Sequence, residues 1–133
     1  MELVYLIIII ALIEYIFFAA KTGMARVKYQ VKAPAISGHP MFERHYRVQM
    51  NTLEQLIIFI PGLLVFAWTG EAVGWPAHEI SALLGVIWII GRAVYYRAYL
   101  GDPAQRGIGF MMTMIPSMTM LLASFIAILV SLL

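Results

Sequence analysis

The stretch IGFMMTMIPSMTMLLASFIAILVSLL, residues 108–133, contains no charged side chain. About 20 apolar residues in an α-helix are enough to cross the roughly 30 Å hydrocarbon core of a bilayer. Lipid offers no hydrogen-bond partner to the backbone, so a segment that crosses it is expected to be helical. This stretch therefore predicts a membrane-spanning helix in the last part of the sequence.

Three further apolar stretches precede it, over residues 3–20, about 48–69 and about 80–96. Over all 133 residues, 62% are hydrophobic and only 12% are charged, about half the charged share of a typical soluble domain. A soluble fold of this size has too little interior to bury so much apolar surface. The composition therefore excludes an ordinary soluble enzyme and a disordered chain.

Together the four stretches predict an all-α protein, an integral membrane four-helix bundle built from a single domain over residues 1–133. The spans are expected at about 2–21, 44–69, 78–99 and 106–132, with a loop at about 22–42. Glu2, rather than a basic residue, precedes the first apolar run, so we expect a retained span there and not a cleaved signal peptide.

The nine basic residues all fall at the two junctions that four spans would place on one side of the membrane: Lys21, Arg26, Lys28, Lys32, Arg44, Arg47, Arg92, Arg97 and Arg106. The positive-inside rule makes this side cytoplasmic and puts both termini on the non-cytoplasmic side. A net charge of only +2 gives no indication of a nucleic-acid partner. The absence of cysteine excludes disulfides and a thiol nucleophile from the protein itself.

A column of polar side chains enters the second predicted span from its basic end. At about 100° per residue, Arg47, Asn51 and Glu54 fall within about 60° of one another on a helix, and Glu43 joins the same stripe. Charged groups are costly inside a bilayer, so each should face protein, water or a ligand. A cation, an amide and an anion in this order would suit a zwitterionic ligand with carboxylates and an amine. The alternative is an interhelical polar clasp in which Glu54 pairs with Arg92 or Arg47.

A second polar set closes the third predicted span. Arg92, Tyr95 and Tyr99 follow the spacing i, i+3, i+7 and share one face of a helix. Tyrosines at this depth are also typical of an interfacial aromatic belt. Arg106 lies at the start of the fourth span, where a cation opposes the helix macrodipole and gains from a nearby anion. The same position suits an ordinary positive anchor of a membrane span.

These residues resemble the MAPEG family, the membrane-associated proteins in eicosanoid and glutathione metabolism. The pattern Glu-Arg-x-x-Arg-x-x-x-Asn-x-x-Glu is complete over residues 43–54, and an apolar helix with Pro61 follows it. The run from Arg92 to Tyr99 and the position of Arg106 also fit the family. The resemblance implies a homotrimer of four-helix protomers that binds glutathione, with membrane lipids around it and a lipophilic electrophile or lipid as second substrate.

The resemblance also implies a role for each residue of the site. Arg47 would hold a glutathione carboxylate, Asn51 would orient the peptide, and Glu54 would accept the γ-glutamyl ammonium. The remaining contacts would come from Gln49, from Arg26 in the first loop, and from Tyr95 and Tyr99 of an adjacent chain. Arg106 would be catalytic and stabilise the thiolate, so that glutathione is conjugated to electrophiles or reduces peroxides. No metal is expected, because His39, His45 and His78 lack ligand spacing.

Two positions depart from the family pattern. Gln55 stands where some animal members have a tyrosine, and Val27 stands where leukotriene-forming members have a second arginine. The departures favour a general glutathione transferase over leukotriene synthesis. Such a transferase can also act as a glutathione peroxidase.

Two other interpretations remain open. Glu14 is a carboxylate within the first span, as in the small multidrug-resistance transporters that couple transport to protons. That mechanism does not call for the polar column of the second span. The transferase interpretation instead expects Glu14 to form an interhelical hydrogen bond within the trimer, to a polar group on the second span. The other possibility is a non-catalytic scaffold that binds lipid or glutathione.

Overall fold

A computed structural model describes residues 1–133 and contains four long α-helices. Their bounds are α1 Glu2–Lys28, α2 Pro40–Ala72, α3 Ala77–Gly101 and α4 Gly107–Leu132, with a 3₁₀ turn at Pro103–Arg106 between the last two. Each of the four is long and apolar enough to cross a membrane. The predicted all-α fold with four candidate membrane helices is thereby confirmed.

The first connection is shorter than the sequence predicts. The loop expected at about 22–42 is confined to residues 29–39, because α1 continues to Lys28 and α2 already begins at Pro40. Residues 22–28 stay helical because Ala25 is buried and because Arg26 and Lys28 lie in the last turn, where cations favour the helix dipole. Proline suits the first turn of a helix, and His39 caps α2 by accepting a hydrogen bond from the Met41 amide.

Arg44 joins the start of α2 to the end of α3. Its Nη1 donates hydrogen bonds to the carbonyl oxygens of Leu100 and Gly101, at 2.7 and 2.8 Å. The last carbonyls of a helix have no partner within the helix, so an arginine from a neighbouring element satisfies them. The two connections that carry the basic residues therefore lie at the same end of the bundle, which we call the basic end.

An apolar core fills the other half of the bundle. Within this core the Phe59 and Trp88 rings stack with their centroids 4.2 Å apart. Large apolar side chains also cover the outside, for example Ile57 at 68% and Leu122 at 57% exposure. Apolar groups on both the inside and the outside are expected for helices that face lipid.

Glycines let the helices approach at three levels. A Cβ at Gly85 would collide with the Ile7 side chain, one at Gly91 would lie 2.7 Å from Met112 Cβ, and one at Gly109 would lie 2.6 Å from Tyr95 Cα. Small residues at such crossings allow close packing of membrane helices. The contact at Gly109 brings α4 directly against the backbone of α3 at the basic end.

We expect Gly109→Ala to destabilise the protein by about 1–3 kcal/mol, because the obstacle is backbone and cannot rotate away. The measurement is thermal unfolding of the purified protein in detergent. Gly107→Ala is the matched control, since a Cβ there meets nothing within 4 Å. Equal stability of the two variants would contradict the close approach of α4 to α3.

Candidate functional site

A fully buried arginine, Arg92, links α3 to α2 at the centre of the site. Its Nη1 donates a hydrogen bond to Asn51 Oδ1 at 3.1 Å, and its Nη2 donates one to Thr52 Oγ1 at 2.7 Å. The guanidinium also lies over the Tyr95 ring, with 4.3 Å from Cζ to the ring centroid. Arg92 is 0% exposed, and a buried cation needs such partners in place of water. The clasp therefore holds α2 and α3 together at the level of Asn51.

Asn51 extends this constraint to the next polar residue of α2. Its Nδ2 donates a hydrogen bond to Glu54 Oε2 at 3.3 Å. Because a guanidinium can only donate, Arg92 takes the amide oxygen of Asn51 and leaves the amide nitrogen for Glu54. Glu54 is itself exposed, and no basic side chain lies within 4.0 Å of its carboxylate. Its negative charge is available to a ligand.

The clasp that the sequence suggests is present, but with other partners. Neither Arg92 nor Arg47 forms an ion pair with Glu54. The one contact in the chain between a carboxylate and a basic side chain within 4.0 Å joins Glu71 to His78 at 3.0 Å, at the opposite end from the basic residues. Thr52 takes the place predicted for Glu54. Two residues along a helix turn the side chain by about 200°, so Thr52 and Glu54 point to nearly opposite sides of α2.

Two tyrosines of α3 stand beside the polar column. Tyr95 is buried and stacks on Tyr99, with the ring centroids 5.4 Å apart. Tyr99 and Arg47 line one cavity of about 240 Å³. The cavity is completed by Pro40, Glu43, Arg44 and Pro103. Within one chain the tyrosines thus lie beside Arg47 and Arg92, and their contribution to an adjacent chain, which the resemblance implies, stays a prediction.

Arg106 lies in the exposed 3₁₀ turn that leads into α4. Its Nη1 donates a hydrogen bond to the Pro103 carbonyl oxygen at 2.8 Å. The side chain also lines a cavity of about 380 Å³, together with Ala104, Gly107 and Phe110. No carboxylate lies within 4.0 Å of the guanidinium. This cation has no anionic partner within the chain.

Besides Arg106, which lines a separate cavity, two of the predicted site residues are not joined to this group. The Arg26 guanidinium donates to the carbonyl oxygens of Val31 and Ala35, at 3.3 and 2.8 Å, and so supports the first loop. Gln49 lies two residues from Arg47, and residues two apart do not share a helix face. Within one chain, the structure therefore gathers Arg47, Asn51, Glu54, Tyr95 and Tyr99, but neither Arg26 nor Gln49.

Glu14 lies on α1, partly buried, and its Oε2 has no hydrogen-bond partner. The carboxylate interacts electrostatically with Arg92. Within one chain α2 supplies no hydrogen-bond partner to Glu14 Oε2, and the cation that acts on the carboxylate belongs to α3. The two groups do not form an ion pair, because no carboxylate lies within 4.0 Å of the Arg92 guanidinium.

Sequence reasoning missed two residues that position the site. Thr52 accepts from Arg92, yet its hydroxyl also donates to the Val48 carbonyl at 2.7 Å, as threonines in many helices do. Nothing in its spacing sets it apart. Arg44 holds the end of α3, and its place three residues before Arg47 on the same face is the one signal that could have indicated it.

Comparison with known proteins gives one family. The model of the MAPEG family matches residues 3–126. An uncharacterized protein of Synechocystis is 38% identical over 124 residues, which cover 93% of this chain and 86% of that protein.

Two relatives carry the names of enzymes. Human microsomal glutathione S-transferase 2 is 35% identical over 99 residues, 74% of this chain and 63% of the relative. Bovine leukotriene C4 synthase is 32% identical over 91 residues, 68% of this chain and 56% of the relative. The chain therefore spans less than two thirds of the length of either enzyme.

Proposed function

The chain belongs to the MAPEG family, and from this membership we propose that it is a membrane glutathione transferase. It would bind glutathione at the basic end of the bundle and activate its thiol for attack on a lipophilic electrophile. The motif over residues 43–54, which resembles the pattern of the family, and the names of the two enzyme relatives support this function. The residues at the basic end supply the chemical argument.

One observation carries the proposal: Arg47 and Glu54 of the polar column do not form an ion pair with each other. Arg92 is held by Asn51 and Thr52, so the charges of Arg47 and Glu54 have no ionic partner in the chain. Arg47 and Glu54 are both exposed, two helical turns apart, on the face where Asn51 is held in one orientation. A purely architectural bundle would gain nothing from leaving these charges unpaired.

Glutathione matches this order of charges. Its carboxylates can take charge-assisted hydrogen bonds from Arg47, its γ-glutamyl ammonium can donate to Glu54, and Asn51 can orient the peptide between them. Tyr99 borders the same cavity as Arg47 and would form its wall, with Tyr95 stacked behind.

A homotrimer would complete the site. By helical spacing Gln49 lies off the face of α2 that carries Asn51, and Arg26 is bonded to the first loop, so we assign both to the site of a neighbouring protomer. In that arrangement the tyrosines come from the protomer that supplies Arg47, and the neighbour supplies Gln49 and Arg26. The Arg26 guanidinium would then donate a hydrogen bond to the ligand in place of one that it now donates to a carbonyl oxygen of the first loop.

Arg106 is the residue proposed to activate the thiol. A free thiol has a pKa near 8.5, so only about 3% of it is thiolate at pH 7. Lowering the thiol pKa by about two units makes most of it thiolate and requires about 2.7 kcal/mol. A charge-assisted hydrogen bond supplies about 1.5–3 kcal/mol, and Arg106 has no carboxylate that competes for its charge.

The thiolate then acts as the nucleophile that this cysteine-free chain lacks. In conjugation its sulfur forms a bond to an electrophilic carbon, and the electrons of the broken bond leave with the displaced group. In peroxide reduction the sulfur attacks an oxygen, the O–O bond breaks and the alcohol leaves. A second glutathione then forms the disulfide and releases water.

The electrophile is proposed to be a lipophilic molecule that reaches the site from the membrane. Val27, whose side chain is 80% exposed, stands where leukotriene-forming members have an arginine. A valine at this position favours a general transferase over leukotriene synthesis. We place the basic end on the cytoplasmic side, because all nine basic residues lie toward it.

A titration of Glu54→Gln with glutathione tests the proposed function. Glutamine keeps an oxygen for the Asn51 amide but loses the charge, so we expect the dissociation constant to rise roughly tenfold. Isothermal titration of the purified protein measures it. Glu79→Gln, an exposed glutamate at the opposite end, is the matched control and should bind as the wild type does.

A glutathione analogue without the α-amino group sharpens this test. Both proteins should bind the analogue with equal affinity, because the ammonium that Glu54 recognises is gone. If Glu54→Gln weakened the analogue as much as glutathione, the assigned contact would be wrong. If wild-type protein bound no glutathione, the proposed function itself would fail.

A further inference from the structure

A third basic cavity, of about 380 Å³, lies between α1, α2 and α3, apart from the residues assigned to glutathione. α1 contributes Lys21, Met24, Ala25 and Lys28, Tyr29 follows α1, and the opposite wall is formed by His45, Tyr96 and Leu100. None of these residues belongs to the Asn51 column. The cavity therefore needs an explanation of its own.

Its charge is positive and unbalanced. Lys21 and Lys28 are seven residues apart on α1 and so lie on one face, two turns from each other. The lining contains no Asp or Glu, and neither ammonium lies within 4.0 Å of a carboxylate. Each ammonium lies over an aromatic ring, Lys21 over Phe17 at 5.2 Å and Lys28 over Tyr29 at 5.3 Å. Two like charges held at one cavity favour an anion between them.

A polar atom without a partner points to the same conclusion. His45 lines the cavity, and its Nδ1 is buried without any hydrogen bond. Buried polar groups are nearly always hydrogen-bonded, so an unpaired one indicates a missing partner. The Tyr96 ring lies 5.9 Å from the His45 ring and adds a phenol to the same wall. Two ammonium groups, an imidazole and two phenols suit a group with several acceptor oxygens.

The surroundings of the cavity are those of a lipid head group. It lies at the basic end, and the α1 surface beside it is apolar and exposed, with Phe17 at 47% and Met24 at 63%. A soluble anion would gain nothing from this apolar surface, whereas an acyl chain would cover it. Basic pockets between membrane helices on the cytoplasmic side are suited to anionic head groups.

We propose that this cavity binds the phosphate of an anionic phospholipid, with Lys21 and Lys28 as its cationic ligands and an acyl chain along Phe17 and Met24. The site is independent of glutathione binding, because it shares no residue with the polar column.

Native mass spectrometry of the detergent-purified protein tests the proposal with phosphatidylglycerol and phosphatidylcholine of the same acyl chains. Each lysine is expected to raise the affinity for the anionic lipid about fivefold. Wild-type protein should therefore retain phosphatidylglycerol roughly 25-fold more strongly than phosphatidylcholine. Lys21→Gln with Lys28→Gln should abolish this preference. Lys32→Gln with Arg97→Gln removes the same charge at the same end outside the cavity, and should keep the preference.

Two further measurements, on an arginine variant and with inorganic phosphate as competitor, make the result decisive. Lys21→Arg with Lys28→Arg should restore the preference, and gel filtration with thermal unfolding shows whether each variant is folded. An equal loss of preference in the control pair would reduce the effect to the general charge of the basic end and overturn the proposal. So would displacement of phosphatidylglycerol by inorganic phosphate at millimolar concentration, since the site would then recognise a soluble anion.

Discussion

Arg106→Ala is expected to lower the rate of glutathione conjugation at pH 7 about 30-fold, while the glutathione dissociation constant stays within about twofold. The physical reason is the thiol, which would return from mostly thiolate to about 3% thiolate once the neighbouring cation is lost. Arg106 makes no contact with the residues proposed to hold the peptide, because its guanidinium bonds only to the Pro103 carbonyl. Thiolate absorbance in the ultraviolet, followed during a glutathione titration, measures the activated fraction directly.

Arg97→Ala is the matched control for this experiment, since it removes an exposed arginine from the same end of the bundle. It should leave both the thiolate signal and the turnover unchanged. Arg106→Lys should retain part of the signal, because the charge remains without the planar guanidinium. If Arg106→Ala weakened binding and turnover by the same factor, Arg106 would be a binding residue, and the scaffold interpretation would gain ground.

Arg92→Leu is expected to lower the unfolding temperature by roughly 10–20 °C, the largest stability effect of any substitution at the site. The change leaves Asn51 and Thr52 without their donor and leaves the partly buried Glu14 carboxylate without the cation that acts on it. Removing one member of a buried charged group costs about 3–5 kcal/mol. Any folded fraction should also bind glutathione more weakly, because Asn51 loses its orientation.

Arg97→Leu, one exposed arginine replaced on the same helix, should change the unfolding temperature by only a degree or two. Adding Glu14→Gln to Arg92→Leu should recover part of the lost stability, since the carboxylate that Arg92 balanced is then neutral. If Glu14→Gln changed the stability of Arg92→Leu by the same amount as it changes the stability of the wild type, the two residues would be independent, and the expected coupling between them would be wrong.

Much of the fold follows from the sequence because the membrane imposes simple rules. Long apolar runs had to become helices, and the basic residues had to gather at one end, so the four helices and the polar column of α2 were predictable from periodicity. Helix ends were less predictable. The continuation of α1 to Lys28 depends on burial of Ala25, a tertiary contact that no local pattern contains.

The site was predictable as a set of residues but not as a set of contacts. Helical spacing shows that Arg47, Asn51 and Glu54 share a face, and it shows the same for Arg92 and Tyr95. It does not show how α3 is rotated against α2, and this rotation decides that Arg92 meets Thr52 and not Glu54. The assembly that would bring Gln49 and Arg26 to the site remains a prediction for the same reason, since it depends on surfaces of separate chains.

The crossing at Gly109 has a mechanical consequence. Because no side chain separates Gly109 of α4 from the Tyr95 backbone of α3, the two helices are in direct backbone contact and shift together at this level. Any displacement of α4 at this level is therefore passed directly to the backbone of Tyr95, and through the stacked rings to Tyr99, which borders the cavity of Arg47.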